Sequence, residues 1–122
     1  MARILVIDDD ELIRDMLSQV IQQAGHRVLL AENGRVGLGV LEQSPVDLVV
    51  LDIFMPDMEG FETMRAIRER HDNIKIIAIS GGARDIDHTI FLEDAELLGA
   101  DASLSKPFPN SALTGLIENL IH

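Results

Sequence analysis

The chain has 122 residues, no cysteine and a formal net charge of −11. This length suits one domain that buries about two-thirds of the surface its unfolded chain exposes. The missing cysteines exclude disulfide frameworks and thiolate metal sites. The acidic balance and the lack of a basic run argue against direct nucleic-acid binding. The apolar run at the start is too short for a signal peptide or a membrane span, so we expect a cytoplasmic location without membrane insertion.

Strand-like and helix-like patterns alternate along the whole chain. In chain order they predict a strand over 3–7, a helix over 11–24, a strand over 27–31, a helix from the Asn33-Gly34 turn to Ser44, a strand over 47–52, a helix over about 60–71, a strand over 75–79, a helix over 87–98, a strand over 102–105, and a final helix capped by Asn110 or Ser111. Five strand–helix units with short connections predict an α/β fold: a doubly wound five-stranded parallel sheet with helices on both faces.

The third strand runs through four consecutive apolar residues and ends on Asp52. Pro56 cannot continue a central strand because it lacks an amide donor, so Asp52 is expected at the carboxyl edge of the sheet. The first, fourth and fifth strands end near Asp8-Asp9-Asp10, Ser80 and Lys106. These side chains should therefore converge at one edge, where open α/β folds bind their ligands.

Several carboxylates close together repel one another unless a cation is present. Carboxylate oxygens, with a backbone carbonyl and water, suit Mg²⁺. An acidic cluster with one lysine and one hydroxyl is also what phosphoryl transfer requires, because metal and ammonium neutralise phosphoryl oxygens and a carboxylate can be the nucleophile. The pattern predicts a Mg²⁺-dependent phosphoryl site.

Four segments together resemble the receiver domain of bacterial two-component response regulators, and they cover almost the whole chain in order. They are ILVIDDDELIR at the start, VDLVVLDIFMPDMEG in the middle, KIIAISG at the fourth strand and GADASLSKPF near the end. The resemblance implies a flavodoxin-like (βα)5 fold with strand order 2-1-3-4-5. It implies one receiver domain over residues 1–122, similar to the chemotaxis regulators. We expect a stand-alone receiver, favoured by Met1, rather than a domain cut from a longer chain.

The resemblance also implies a role for each matching residue. Asp52 would accept a phosphoryl group from a histidine kinase, a histidine phosphotransfer protein or a small phosphodonor. Asp9 would bind Mg²⁺ directly and Asp8 largely through water, with Asp52 and the main-chain carbonyl of Phe54 as further ligands. The remaining contacts to the phosphoryl group would come from Ser80 and Lys106, and the bond between Lys106 and Pro107 is expected to be cis.

The expected output is a population shift that a downstream effector protein reads on the face made by helix four, strand five and helix five. The phosphoryl oxygens would contact Ser80 and Lys106. These contacts would shift a pre-existing conformational equilibrium at the edge formed by strands four and five. The protein would not be an enzyme beyond its own phosphorylation and dephosphorylation.

Three departures from the family stand out. Ser103 replaces the usual aromatic residue of strand five, so the switch must use other contacts or be weak. The segment from Gly81 to Gly99 is a few residues longer than usual, and Phe54 would place a bulky side chain beside the metal site, where the family tunes the lifetime of the phosphorylated state.

The same residues allow other interpretations. A phosphohydrolase of haloacid dehalogenase type would need a second aspartate two positions after the nucleophile, where this chain has Phe54. A flavin-binding module would have to bring a phosphate against the Asp8–Asp10 acids. A degenerate receiver could instead bind its partner constitutively. We expect Asp10 to cap the first helix. We also expect the four histidines to be surface residues; they are His26, His71, His88 and His122.

Overall fold

The structure, a computed structural model, describes residues 1–53, 59–80 and 99–121. Its strands are β1 (Arg3–Ile7), β2 (Arg27–Ala31), β3 (Leu48–Asp52), β4 (Lys75–Ser80) and β5 (Ala102–Ser105). Its helices are α1 (Glu11–Gln23), α2 (Gly34–Gln43), α3 (Glu59–Arg70) and a last helix, Asn110–Ile121. The strands form one parallel sheet in the order β2-β1-β3-β4-β5. The predicted fold class and strand order are confirmed.

The bounds of most elements differ from the predicted ones by a single residue. Ser80, expected in a loop, is the last residue of β4 and pairs with Ser105 of β5. The last helix begins at Asn110 itself, so that predicted cap is its first residue. Asp10 caps α1 as predicted, because its side chain accepts hydrogen bonds from the amides of Leu12 and Ile13. The helix predicted over 87–98 lies outside the described residues.

The sheet is buried on both faces because each strand sends alternate side chains to opposite sides. On one face, Leu5 and Ile7 of β1 pack with α2 and α3. On the other, Ile4 and Val6 pack with α1 and the last helix. All five residues of the central strand β3 are buried. Its terminal carboxylate, on Asp52, is therefore held at the rim of a rigid core.

The start of α3 lies directly against the end of β3. A Cβ atom added to Gly60 would lie 2.8 Å from the carbonyl oxygen of Asp52 and 2.7 Å from the carbonyl carbon of Ile53. Both are backbone atoms, which cannot move aside as a flexible side chain can. Gly60 therefore permits the close approach of helix and strand behind Asp52.

The interpretation of His26 as a surface residue was wrong. His26 is 7% exposed, and its Nδ1 accepts a hydrogen bond of 3.1 Å from the backbone N–H of Ala2. Its Nε2 lies 3.0 Å from Oε1 of Glu118 in the last helix. Since Nδ1 is an acceptor, the proton is on Nε2, which donates to Glu118. His26 thus ties the start of β1 to the last helix.

The other histidines divide between described and undescribed parts of the chain. His71 is partly buried, and among the described residues its Nε2 is buried without a hydrogen-bond partner. The interpretation of His71 as a surface residue was therefore only partly right. His88 and His122 lie outside the described residues.

Candidate functional site

Asp52 occupies the carboxyl end of β3, in the centre of the sheet. The residue is 7% exposed, so its backbone is fixed while an edge of the side chain reaches solvent. The ladder continues one step beyond it, because the amide of Ile53 donates 2.9 Å to the carbonyl of Ile79 in β4. The position predicted from the interrupted apolar run is the observed one.

Asp8 and Asp9 follow β1, the strand beside β3. Asp8 is 2% exposed, whereas Asp9 is exposed. The amide of Asp8 donates to the carbonyl of Ala31, and its Oδ1 accepts 2.9 Å from the amide of Asp10. Carboxylate oxygens of Asp8, Asp9 and Asp52 all lie within 4.8 Å of one another. The predicted convergence of acids at the carboxyl edge is therefore observed.

Burial and charge act in opposite directions on Asp8. Burial raises the pKa of its carboxyl group above the usual 3.8, and the nearby charge of Asp9 adds to the rise. The amide of Asp10 and the ammonium of Lys106 lower the same pKa, but the net shift is upward. The folded site therefore disfavours ionisation of Asp8, mainly because the carboxyl group is buried.

Lys106 and Ser80 come from the two strands on the other side of Asp52. The Nζ atom of Lys106 lies 3.3 Å from Oδ2 of Asp8, and its amide donates 2.9 Å to the carbonyl of Ser80. Ser80 is fully buried, one residue beyond the β4 position that pairs with Asp52. The Lys106-Pro107 bond is cis, as the resemblance implied.

A cleft of about 630 Å³ opens over the three grouped carboxylates and Lys106. Its polar part contains Asp8, Asp9, Asp52 and Lys106. Its apolar wall comes from α1 and from the segment after β5, and comprises Ile13, Met16, Leu17, Pro107 and Phe108. The acidic group is therefore bordered by apolar surface that could contact a protein donor.

Not every residue predicted to act at the site is found in this cleft. Ser80, predicted to contact the phosphoryl group, is buried at the end of β4 and does not line this cleft. Phe54, with its main-chain carbonyl, lies outside the described residues. Ser103 is partly buried in β5, paired with Ala78, and does not line the cleft.

Sequence reasoning missed one polar contact to this site. Arg14 of α1 donates from Nη1 to the main-chain carbonyl of Asp8 at 2.7 Å. A signal for it exists in the sequence: Arg14 is a cation near the start of a helix, where the helix dipole disfavours positive charge. The apolar wall was also missed, since Pro107 and Phe108 follow a short strand with no periodic pattern of their own.

The donor set of the site fits a hard divalent cation. Three carboxylate oxygens within reach of one another are ligands that Mg²⁺ prefers, and the nearest additional charge is one ammonium. Asp8, Asp9 and Asp52 are the described residues that would hold the ion.

Relatives with these features are numerous. The family model for the response regulator receiver domain matches residues 4–118. The transcriptional regulatory protein AfsQ1 of Streptomyces coelicolor is 37% identical over 99% of this chain and 52% of its own length. The chemotaxis response regulator CheY4 of Vibrio cholerae superposes with a TM-score of 0.85 at 29% identity, over 98% of each chain. The response regulator TrrA of Thermotoga maritima, solved in complex with Mg²⁺–BeF, superposes with a TM-score of 0.84 at 33% identity, over 98% of this chain and 99% of that one.

The curated relatives are longer than this chain, which spans about half the length of those it matches. Among the described residues, no helix has both the length and the apolar composition needed to cross a membrane. The family match extends from the second residue of β1 into the last helix, and so includes every strand of the sheet and the acidic cluster. The chain belongs to the receiver domains of two-component response regulators.

Proposed function

We propose that this receiver is a phosphoacceptor switch in which Asp52 accepts a phosphoryl group from a histidine kinase or a histidine phosphotransfer protein. The observation that carries the proposal is the grouping of the Asp52, Asp8 and Asp9 carboxylates within 4.8 Å at the end of a buried strand. A buried strand end fixes the nucleophile, and the neighbouring acids are suited to hold a metal beside it.

The transfer follows from the chemistry of a carboxylate and a phosphohistidine. An oxygen of Asp52 attacks phosphorus, the P–N bond breaks, and its electron pair returns to the imidazole nitrogen, which then takes a proton. Mg²⁺ bound by Asp8, Asp9 and Asp52 would neutralise charge on the phosphoryl oxygens. Lys106, which contacts Asp8 in the free site, would turn to a phosphoryl oxygen, and Ser80 would donate to another.

The phosphodonor is a protein with an apolar face around its histidine. Met16 of α1 is 48% exposed and lines the cleft together with Phe108, so apolar surface borders the acidic group. A solved relative, TrrA, was obtained in complex with Mg²⁺–BeF, which supports the proposal that this chain also binds Mg²⁺. The proposed chemistry is limited to the chain's own phosphorylation and dephosphorylation, in the cytoplasm.

The output is control of a protein partner through the face made by helix four, strand β5 and the last helix, of which the predicted helix four lies outside the described residues. Ser103 occupies the strand-five position where the family commonly has an aromatic residue that couples phosphorylation to this face. The conformational shift on phosphorylation must therefore use other contacts. Curated relatives are transcriptional regulatory proteins. With a net charge of −11, this part of the protein itself would not bind nucleic acid.

Intact mass measured after incubation with acetyl phosphate and Mg²⁺ tests the proposal. We expect the wild-type protein to gain one phosphoryl group only when Mg²⁺ is present, and Asp52→Asn to gain none. Asp15→Asn is the matched control, because Asp15 is an exposed carboxylate of α1 that does not line the cleft. It should be modified like the wild-type protein.

Two results would contradict the proposal. A wild-type protein that is neither modified nor perturbed by Mg²⁺ would be a degenerate receiver that binds its partner constitutively. Phosphoryl gain that persists in Asp52→Asn would place the acceptor elsewhere. A phosphohydrolase would turn over substrate continuously instead of retaining one group, and the position it would need for its acid/base residue is Phe54.

A further inference from the structure

Arg14 makes a contact to the acidic site that the proposed chemistry does not use. Its Nη1 donates 2.7 Å to the main-chain carbonyl of Asp8, and this hydrogen bond is partly buried. Asp8 lies one residue beyond Ile7, the last residue of β1 in the sheet ladders. The carbonyl of a residue within a strand accepts a hydrogen bond from the neighbouring strand. The carbonyl of Asp8, beyond the end of β1, accepts one from the Arg14 side chain instead.

The guanidinium of Arg14 reaches back across the turn between β1 and α1 and holds the carbonyl of Asp8. The backbone amide of Arg14 donates 2.9 Å to the carbonyl of Asp10, the cap of α1, which is the ordinary helical bond of this position. Asp9, the exposed acid of the site, lies between Asp8 and Asp10 in this turn. The position of the Asp9 carboxylate thus depends on a turn that Arg14 closes.

Arg14 occupies an unfavourable place for a cation. It is the fourth residue of α1, whose first turn already carries Glu11 and whose helix dipole is positive at this end. A base at such a position is stabilised by something other than the helix. In this structure the partners are the Asp8 carbonyl and the field of the acidic cluster.

We propose that Arg14 is a positioning residue for the acidic site, fixing the turn that carries Asp8 and Asp9 in the geometry that binds Mg²⁺. The inference rests on the proposed function, since it concerns the same metal site. Hydrogen bonds that orient metal ligands from behind change metal affinity roughly 10–100-fold when they are removed. If Arg14 positions the ligands, its removal should weaken Mg²⁺ binding. If it acts through its charge alone, its removal should strengthen Mg²⁺ binding.

The decisive measurement is the Mg²⁺ dissociation constant of Arg14→Met, obtained from amide chemical shifts of the unphosphorylated full chain. If Arg14 positions the ligands, Arg14→Met should bind Mg²⁺ roughly 10-fold more weakly than the wild-type protein. If its charge alone mattered, removing a cation beside the acids would tighten Mg²⁺ binding. Equal or tighter binding by Arg14→Met would overturn the proposal.

Two further variants separate the hydrogen bond from the charge and from folding. Arg14→Gln loses the charge but keeps a donor, so its Mg²⁺ affinity should lie closer to the wild-type value than that of Arg14→Met. Arg35→Met is the matched control, because Arg35 is an exposed arginine in the first turn of α2 that does not line the cleft. Its Mg²⁺ affinity should be unchanged.

A metal-free measurement guards against a general loss of structure. Hydrogen exchange at the Asp10 amide, which is bonded to Oδ1 of Asp8, should accelerate in Arg14→Met while core amides of β3 keep their protection. Uniform acceleration would mean a merely structural role and would contradict the proposal. A wild-type protein that binds no Mg²⁺ would instead contradict the proposed function, so the two failures are distinguishable.

Discussion

Asp8 is the residue at which folding and the proposed function conflict. Its carboxyl group is almost fully buried, and burial raises its pKa more than the Asp10 amide and Lys106 lower it. Such a carboxylate is retained at some expense of stability, a pattern that is common at functional sites. The conflict can be measured, because a neutral side chain of the same shape removes it.

We expect Asp8→Asn to raise the free energy of unfolding at neutral pH in the absence of metal. The folded protein holds the Asp8 proton more tightly than the unfolded chain, whose pKa is the usual 3.8. Between 3.8 and the higher folded pKa, the folded state therefore binds more protons, and stability falls as the pH rises. Above the folded pKa, the loss in the free energy of unfolding is complete and no longer changes with pH. Urea unfolding of both proteins from pH 3 to 8 in EDTA measures this loss.

The comparison between the two proteins isolates Asp8 from the other acids. The wild-type minus Asp8→Asn difference should be small at low pH and should grow as the pH rises through the window. Asp15→Asn should follow the wild-type curve, since Asp15 is exposed outside the cleft. An Asp8→Asn protein less stable than wild type at neutral pH would mean that the bond to Lys106 outweighs burial.

Single residues also mark where sequence reasoning stopped. Asp52 and Lys106 could be placed because each follows a recognisable strand, and strand ends converge in this topology. His26 could not, because its partner Glu118 lies 92 residues away and nothing near His26 signals burial. Arg14 was overlooked for a different reason: its partner is a backbone carbonyl only six residues away, and no side-chain pattern marks a bond to a carbonyl.

At the scale of elements, α3 packs directly against the backbone at the end of β3, behind Asp52. We expect Gly60→Ala to lower the free energy of unfolding by about 1–3 kcal/mol, as overpacking does when the obstructing atoms cannot move. The obstructing atoms are backbone atoms of Asp52 and Ile53. Because relief requires α3 to shift away from β3, phosphorylation of Asp52 should also slow. Urea denaturation and acetyl phosphate labelling measure the two effects.

Gly115 provides the matched control for this substitution. It lies in the last helix, and a Cβ atom there would meet no atom within 4 Å. Alanine at such a site stabilises a helix by about 0.4–1 kcal/mol, so Gly115→Ala should move the urea midpoint upward. If Gly60→Ala and Gly115→Ala both moved the urea midpoint in the same direction, the close packing behind Asp52 would not limit the size of the residue at position 60.

The helices and strands were predictable because the hydrophobic periodicity and the positions of glycine and proline residues indicate the same boundaries along most of the chain. The five strands were located to within a residue, and Gly25, with φ of 95°, ends α1 as a helix-terminating glycine should. Contacts between elements were not predictable in this way. Arg68, for example, joins α3 to Asp101 and to the carbonyls of Ile74 and Gly99, and local patterning carries no trace of that network.

At the scale of the molecule, the strand–helix alternation was enough to predict a doubly wound parallel sheet. The order 2-1-3-4-5 was supplied by the family resemblance, since alternation alone allows several orders that obey the crossover rules. The residues that form the switch in the family divide here between described and undescribed parts of the chain. Ser103 in β5 is described, whereas the residues predicted as helix four are not.

The whole molecule should respond to Mg²⁺ through its stability. The folded chain brings together carboxylates from the ends of β1 and β3, which the unfolded chain does not. A ligand that binds only the folded state at 100 times its dissociation constant adds about 2.7 kcal/mol. For a domain of this size that corresponds to a rise in Tm on the order of 10 °C. Removal of Mg²⁺ with EDTA should reverse the rise.

Net charge supplies a competing explanation that the experiment must separate. At −11, the chain repels itself, and any added salt would stabilise it by screening. NaCl at matched ionic strength is therefore the reference, and it should raise Tm less than Mg²⁺ does. Asp9→Asn should respond to NaCl like the wild-type protein but should lose the additional rise with Mg²⁺, because a ligand has been removed while the overall charge changes little. An equal response of both proteins to Mg²⁺ would assign the whole effect to screening and leave no role for the acidic site.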